Sequence, residues 1–175
     1  WVRDNIYIAY THYALGKTAV ASRNATTLMQ YFIKHQQRLE RIIAQQADPQ
    51  EPMNRPHIRF NGHDLEEIDQ KWAHAQNDAL GYFLWLYCTL VEAGIIVPAP
   101  PALEVLALLP RYFATIRYWE DADSGHWEEV RKVAASSIGC ALAGLMSLRQ
   151  LMNQAQVAAQ LAKASHPVSL RDVDS

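Results

Sequence analysis

Glycine, cysteine and clustered basic charge are all scarce in this sequence, and each shortage removes a class of function. Seven glycines in 175 residues leave no glycine-rich loop to cradle a phosphate and no Gly-x-Ser-x-Gly elbow to present a nucleophilic serine. The two cysteines, Cys88 and Cys140, lie inside apolar stretches, where a thiol is usually inert. They read as reduced core residues, which fits a cytoplasmic protein. Sixteen basic residues against eighteen acidic ones give a formal net charge of -2. No stripe of them is dense enough for nucleic acid or an anionic membrane. The seven histidines never pair at ligand spacing on one helix, so neither a metal nor another cofactor is expected. The stretch "DADSGHWEE" from Asp121 imitates a calcium loop, but its glycine comes one place early and the twelfth position is Lys132. Arg3, Asp4 and Asn5 interrupt any early apolar run, which excludes a signal peptide here. The chain opens on Trp1 without an initiator Met and is expected to be a piece of something longer.

What is present is helical pattern. Half the residues are hydrophobic, and they recur at spacings of three and four rather than two, which predicts an all-α protein. Ile6, Ala9, Tyr10 and Tyr13 share one face of a first helix ending near Gly16. Leu28, Tyr31, Phe32, His35, Leu39, Ile42 and Ile43 belong to one longer second helix. The stretch from Ala47 to Asp64 breaks this pattern with three prolines and Asn61-Gly62, so "RPHIRF" within it is a short strand or extended loop. Loops of this length in compact domains are often functional. From Asn77 to Gly94 the chain is apolar on nearly every face, yet too short to span a bilayer, and predicts an inner core helix. Pro98, Pro100 and Pro101 mark a linker into the next helix, which Pro110 is expected to kink. A further helix, rich in Gly, Ala and Ser, is expected from Trp127 onward, and a weaker one carries Val157 and Leu161 before His166-Pro167. Six or seven helices result, stacked as hairpins.

Three polar clusters interrupt the apolar pattern at helix ends: "WVRD" from Trp1, "KWAHAQND" from Lys71 and "HWEEV" from His126. Each joins tryptophan to carboxylate, and two add a planar donor, Arg3 or Gln76. That mixture suits a sugar, because indoles cover the apolar faces of a pyranose while carboxylates, amides and guanidinium bond its hydroxyls. Glycoside hydrolysis also needs a carboxylic acid that keeps its proton near neutral pH. Glu128 has an indole before it, Trp127, and a carboxylate after it, Glu129, and both influences raise a pKa. A helix N-terminus at that point works in the opposite direction. Each cluster also has a plainer reading: acids complementing a helix dipole, a surface Arg–Asp pair, a buried tryptophan with a capping Asp78.

In these clusters, "WVRD", the Trp-x3-Gln-x-Asp of Trp72, Gln76 and Asp78, and "WEEV" followed by "ASS", the chain resembles glycoside hydrolase family 15. That family comprises glucoamylases and the related regulatory α and β subunits of phosphorylase kinase. The resemblance runs from Trp1 to about Leu151. It implies an (α/α)6 barrel, and inverting hydrolysis of terminal α-glucosidic bonds in starch-, glycogen- or maltooligosaccharide-type substrates. It places Glu128 at the general acid, Glu129 at a carboxylate contacting sugar hydroxyls, and Arg3 and Asp4 at the pair holding the terminal glucose. Trp72 falls on an indole lining the cleft, and Gln76, Asp78 and Trp127 join the substrate-binding set. "RPHIRF" and "HAQNDALGYFLWLY" are more similar to bacterial relatives and the kinase-subunit branch than to fungal glucoamylases, and Gly125 and His74-Ala75 depart from the fungal pattern. The family's catalytic base lies downstream of its acid, whereas no glutamate follows Glu129 here. Residues 1–175 are therefore expected to form about half the barrel, with a loosely ordered tail over 166–175, one apolar flank awaiting the remaining helices, and no turnover in isolation. The alternative is a non-catalytic regulatory or sugar-sensing protein like the phosphorylase kinase subunits, for which calmodulin becomes an expected partner.

Overall fold

The structure, a computed structural model, describes residues 1–128, 130–170 and 173. Seven α-helices are present among them: α1 (Val2–Ala14), α2 (Thr18–Lys34), α3 (Gln37–Ile43), α4 (Asn77–Glu92), α5 (Pro100–Ile116), α6 (Ala135–Leu151) and α7 (Ala155–Leu161). They form two layers. The inner layer is α1, α4 and α6 side by side; α2 and α5 pack against it from outside, and α3 and α7 pack on α5. The first turns of all three inner helices meet at one end, where Arg3 of α1 bonds Asp78 of α4, and where Asn77 of α4 and Ser137 of α6 both bond Asp123. The inner helices thus run parallel, in the manner of an arc of an α/α toroid.

Local sequence explains the boundaries. Gly16 and Gly94 adopt φ of +73° and +70° beyond α1 and α4, the left-handed step that glycine takes without a Cβ clash. Pro100 and Pro101 occupy the first turn of α5, where a missing N–H is no loss. The helix then runs uninterrupted through Pro110 to Ile116. The small residues of α6 serve a close crossing with α4. A Cβ on Gly81 would strike the backbone of Cys140, and one on Gly144 would lie 2.6 Å from the carbonyl oxygen of Gly81. The two backbones touch, which offsets the cost of about 1 kcal/mol for each glycine inside a helix.

Three expectations change. The second helix is two, because the chain breaks at His35-Gln36 between α2 and α3. At the break His35 bonds the carbonyl of Leu65 at 2.8 Å, and beyond it Arg38 reaches Glu67 and the carbonyl of Met53, so helix continuity yields to anchoring the 53–67 loop. Of the two readings of "RPHIRF", short strand or extended loop, the second holds: it is an extended loop with an isolated bridge, Phe60 to Glu67, tied to the start of α1 by the Val2 N–H on the Ile58 carbonyl. Tyr10 leaves the buried face of α1 and rests, exposed, against Trp85 at 5.0 Å. The third change concerns Trp127, where no helix begins. Residues 125–128 form a turn, Asp123 and Lys132 pair as an antiparallel bridge, and α6 starts only at Ala135.

Candidate functional site

Arg3 organises the end of the molecule where the three inner helices converge. Its guanidinium is buried and meets Asp78 side-on, Nε to Oδ2 at 2.8 Å and Nη2 to Oδ1 at 3.0 Å. Burial works against the positive charge, but the Asp78 carboxylate outweighs it and holds the guanidinium above its ordinary pKa. Nη2 also donates to Gln76 Oε1 at 2.6 Å, and Nη1 and Nη2 donate to the carbonyls of His126 and Gly125 at 3.3 and 3.4 Å. One side chain thereby locks α1 to α4 and to the turn that carries Glu128.

The bond from Arg3 fixes which way the Gln76 amide faces. A guanidinium only donates, so the amide oxygen must point to it and the NH2 away. That NH2 donates to the Ala73 carbonyl at 2.9 Å and to Glu128 Oε1 at 3.2 Å. Glu128 therefore accepts this bond on Oε1. Its backbone has φ of +56°, a conformation rare for residues with a Cβ and typical of constrained functional positions. α6 starts seven residues later, so Glu128 sits in a turn and not at a helix N-terminus.

Glu128 lines a cleft of about 440 Å³ together with Pro52, Lys71, Trp72 and Ala73. The lining indole is Trp72, braced edge-on by Trp1 at a centroid distance of 5.4 Å, with the Arg59 guanidinium 4.0 Å from its ring. Trp127 does not fill the shielding part that adjacency in sequence suggests. It is 78% exposed and stands edge-on to His126 at 4.9 Å. Trp127 instead borders a neighbouring cavity of about 300 Å³ shared with Tyr7, Asp78, Tyr82 and His126. There Tyr7 Oη and His126 Nδ1 lie 3.4 Å apart. Asp4 is exposed on the first turn of α1 and outside the Arg3 network. Glu129 lies outside the described residues.

Behind the cleft is a polar layer that sequence reading did not assign. Arg55, fully buried, donates to Asp121 at 2.6 Å and to Tyr112 Oη at 3.1 Å. Asn77 donates its side chain to Asp121 and its backbone N–H to Asp123, each at 2.8 Å, and Ser137 Oγ donates to Asp123 at 3.0 Å. The first turns of α4 and α6 thus both aim donors at one carboxylate. Burial nevertheless pushes the Asp123 carboxyl up to about 6. Beside this layer the rings of His57 and His74 stack at 3.8 Å, and burial drives the pKa of His74 down to about 3, so it is neutral. The only signal for these partners was the placement of charges in "RPHIRF" and "DADSG" against turns, which a loop reading absorbs without remainder.

Comparison with known proteins agrees with this geometry. The family described as glycosyl hydrolases family 15 matches residues 1–171. A probable phosphorylase b kinase regulatory subunit alpha from Caenorhabditis elegans is 26% identical over 175 aligned residues, which cover 86% of this chain and 14% of that protein. The chain thus spans about a seventh of that relative's length. No solved structure matches the chain significantly. Among the described residues, no helix is long and apolar enough to cross a membrane. An all-helical inner and outer layer, a Trp-lined cleft with a held glutamate, and a family match along nearly the full sequence lead to one conclusion: the chain belongs to glycosyl hydrolases family 15.

Proposed function

We propose that this chain forms the acid-bearing wall of a glucoamylase-like cleft, which binds the non-reducing end of an α-glucan or maltooligosaccharide. Glu128 protonates the glycosidic oxygen as the bond to the leaving sugar breaks. The observation that carries this reading is the relay Arg3–Gln76–Glu128, which fixes the Glu128 side chain on the wall of the Trp72 cleft through a bond to one carboxyl oxygen. Trp72 offers the apolar surface against which a pyranose packs. An inverting reaction also requires a second carboxylate across the ring to activate water, and in this reading the remainder of the barrel supplies it. The test is proton NMR of full-length protein incubated with maltotetraose. Release of β-glucose supports the reading, while α-glucose as first product or a disproportionated glucan contradicts it.

A second reading has its own support. The match to a kinase regulatory subunit favours a protein that keeps the cleft for sensing α-glucans and no longer turns them over, with calmodulin as a candidate partner. Binding of maltotetraose without glucose release, together with calcium-dependent capture of calmodulin, distinguishes it from the hydrolase.

A further inference from the structure

His74 sits between the two residues through which the 72–76 segment shapes the cleft. Its backbone N–H donates to the Trp72 carbonyl at 3.1 Å, and its carbonyl accepts the Gln76 N–H at 2.8 Å. One residue's backbone therefore sets both the lining indole and the amide that holds Glu128. The imidazole serves a different partner. Nδ1 accepts the Ile58 N–H at 3.3 Å, and the Ile58 carbonyl accepts the N–H of Val2, the neighbour of Arg3, at 2.9 Å. The 53–67 loop is thus fastened to the 72–76 segment and to the start of α1, the two elements that supply Gln76 and Arg3 to the relay.

This bonding fixes the tautomer of His74. A backbone N–H only donates, so Nδ1 offers a lone pair and the single ring proton lies on Nε2. The ring stacks on His57 at 3.8 Å with 9° between the planes, and both are buried. Among the described residues Nε2 has no hydrogen-bond partner, so the Ile58 bond and the stack hold the ring. A further proton has to arrive at Nδ1, where the Ile58 N–H already stands, and that bond must break to admit it. Burial is the largest obstacle to such a charge, and His57, Arg38 and Arg59 add to it. The Glu67 carboxylate is engaged elsewhere: it pairs with Arg38 and lies 3.9 Å from Nδ1 of both His35 and His57. Tyr31, which donates to the His57 carbonyl at 2.9 Å, is kept neutral by burial.

We infer that His74 is a positioning residue for the cleft and acts only as the neutral Nε2–H tautomer, so that acid releases the 53–67 loop from the 72–76 segment and weakens α-glucan binding. This rests on the reading of the cleft as an α-glucan site and adds its regulation by protons. Once released, His74 meets water, returns toward its ordinary value of 6.5 and takes up the proton that the fastened ring refuses. Trp72 and Gln76 then lose the loop that braces them.

Calorimetric titration of the full-length protein with maltotetraose at about pH 7 and about pH 5 tests the assignment. That change favours a form whose histidine titrates normally by up to about 25-fold over one whose histidine stays neutral, and the affinity is expected to fall at least about threefold. His74→Asn puts an amide oxygen where Nδ1 stood and cannot be protonated there, so the ratio of its affinities at the two pH values should approach one. His57→Phe keeps an aromatic partner for the stack and should retain the acid loss, because His74 still carries it. This variant reads the same site even where His74→Asn disturbs the fold. An affinity of the unmutated protein that does not change with pH overturns the inference and leaves the glucan cleft standing. So does an equal acid loss in His74→Asn, or its disappearance in His57→Phe. Absence of maltotetraose binding at both pH values overturns the glucan cleft and the proton latch together.

Discussion

The guanidinium of Arg3 and the carboxylate of Asp78 meet side-on at 2.8 and 3.0 Å, joining first turns of two helices that lie 75 residues apart in sequence. Both side chains are almost wholly enclosed. Breaking such a pair strands a charge away from water, which typically costs about 3–5 kcal/mol, whereas replacing both partners by apolar residues can cost much less. Arg3→Met and Asp78→Leu should each lower stability by that amount, and the double variant should lose less than the sum. Urea unfolding of the four proteins in a double-mutant cycle measures the coupling.

Asp123 makes a second, pH-dependent prediction. Burial, and more weakly the nearby Asp78 and Asp121 charges, raise its carboxyl from 3.8 to about 6, against the opposing bonds from Asn77 and Ser137. Between those values the folded chain retains a proton that the unfolded chain has released. Stability contributed by this group is complete below about pH 4 and falls by about 3 kcal/mol as pH rises through about 6. Asp123→Asn keeps an oxygen for the Asn77 N–H and offers an N–H to Ser137 Oγ. The variant should flatten that part of the profile, and chemical denaturation of both proteins from pH 4 to 7 checks it.

The crossing of α4 and α6 predicts opposite effects for two glycines. Gly81 has the Cys140 backbone where a Cβ would go, while Gly139 has nothing within 4 Å. Gly81→Ala should force the helices apart and cost about 1–3 kcal/mol or more. Gly139→Ala should stabilise by about 0.5–1 kcal/mol through helix propensity. Thermal melts of the two variants decide it.

Two tryptophans near Glu128 separate the cleft from its surroundings. Trp72 lines the cleft, and Trp127 is exposed and turned to His126. Trp72→Ala should weaken maltotetraose binding roughly tenfold, equivalent to about 1.4 kcal/mol, and Trp127→Ala should change it much less. Equal losses at both positions would return Trp127 to the cleft.

Much of this was legible before any coordinates, and the exceptions share a cause. The spacing of Ile6 and Ala9, the all-round apolar stretch of α4 and the prolines before α5 follow from local chemistry, so the helices and their layering could be read directly. Arg3, Gln76 and Asp78 meet because they sit on or just before the first turns of α1 and α4, and Glu128 joins them from the turn that precedes α6 by seven residues. What could not be read depends on partners distant in sequence. His35 ends α2 because Leu65 offers a carbonyl. Arg59 rests against Trp1 and Trp72, two rings that come from distant parts of the chain. Trp127 sits beside Glu128 in sequence, but the turn at 125–128 sends the two side chains to different cavities.

The most direct test of the central claim is the rate of glucose release from maltotetraose by full-length protein carrying Glu128→Gln, measured beside the affinity of the same variant for the substrate. Glutamine preserves the shape of the side chain and removes the transferable proton. The account predicts a fall in kcat of about 10²–10⁴-fold, the usual contribution of a general acid, with affinity changed no more than a few-fold. Glucose release that proceeds undiminished in the variant would contradict it.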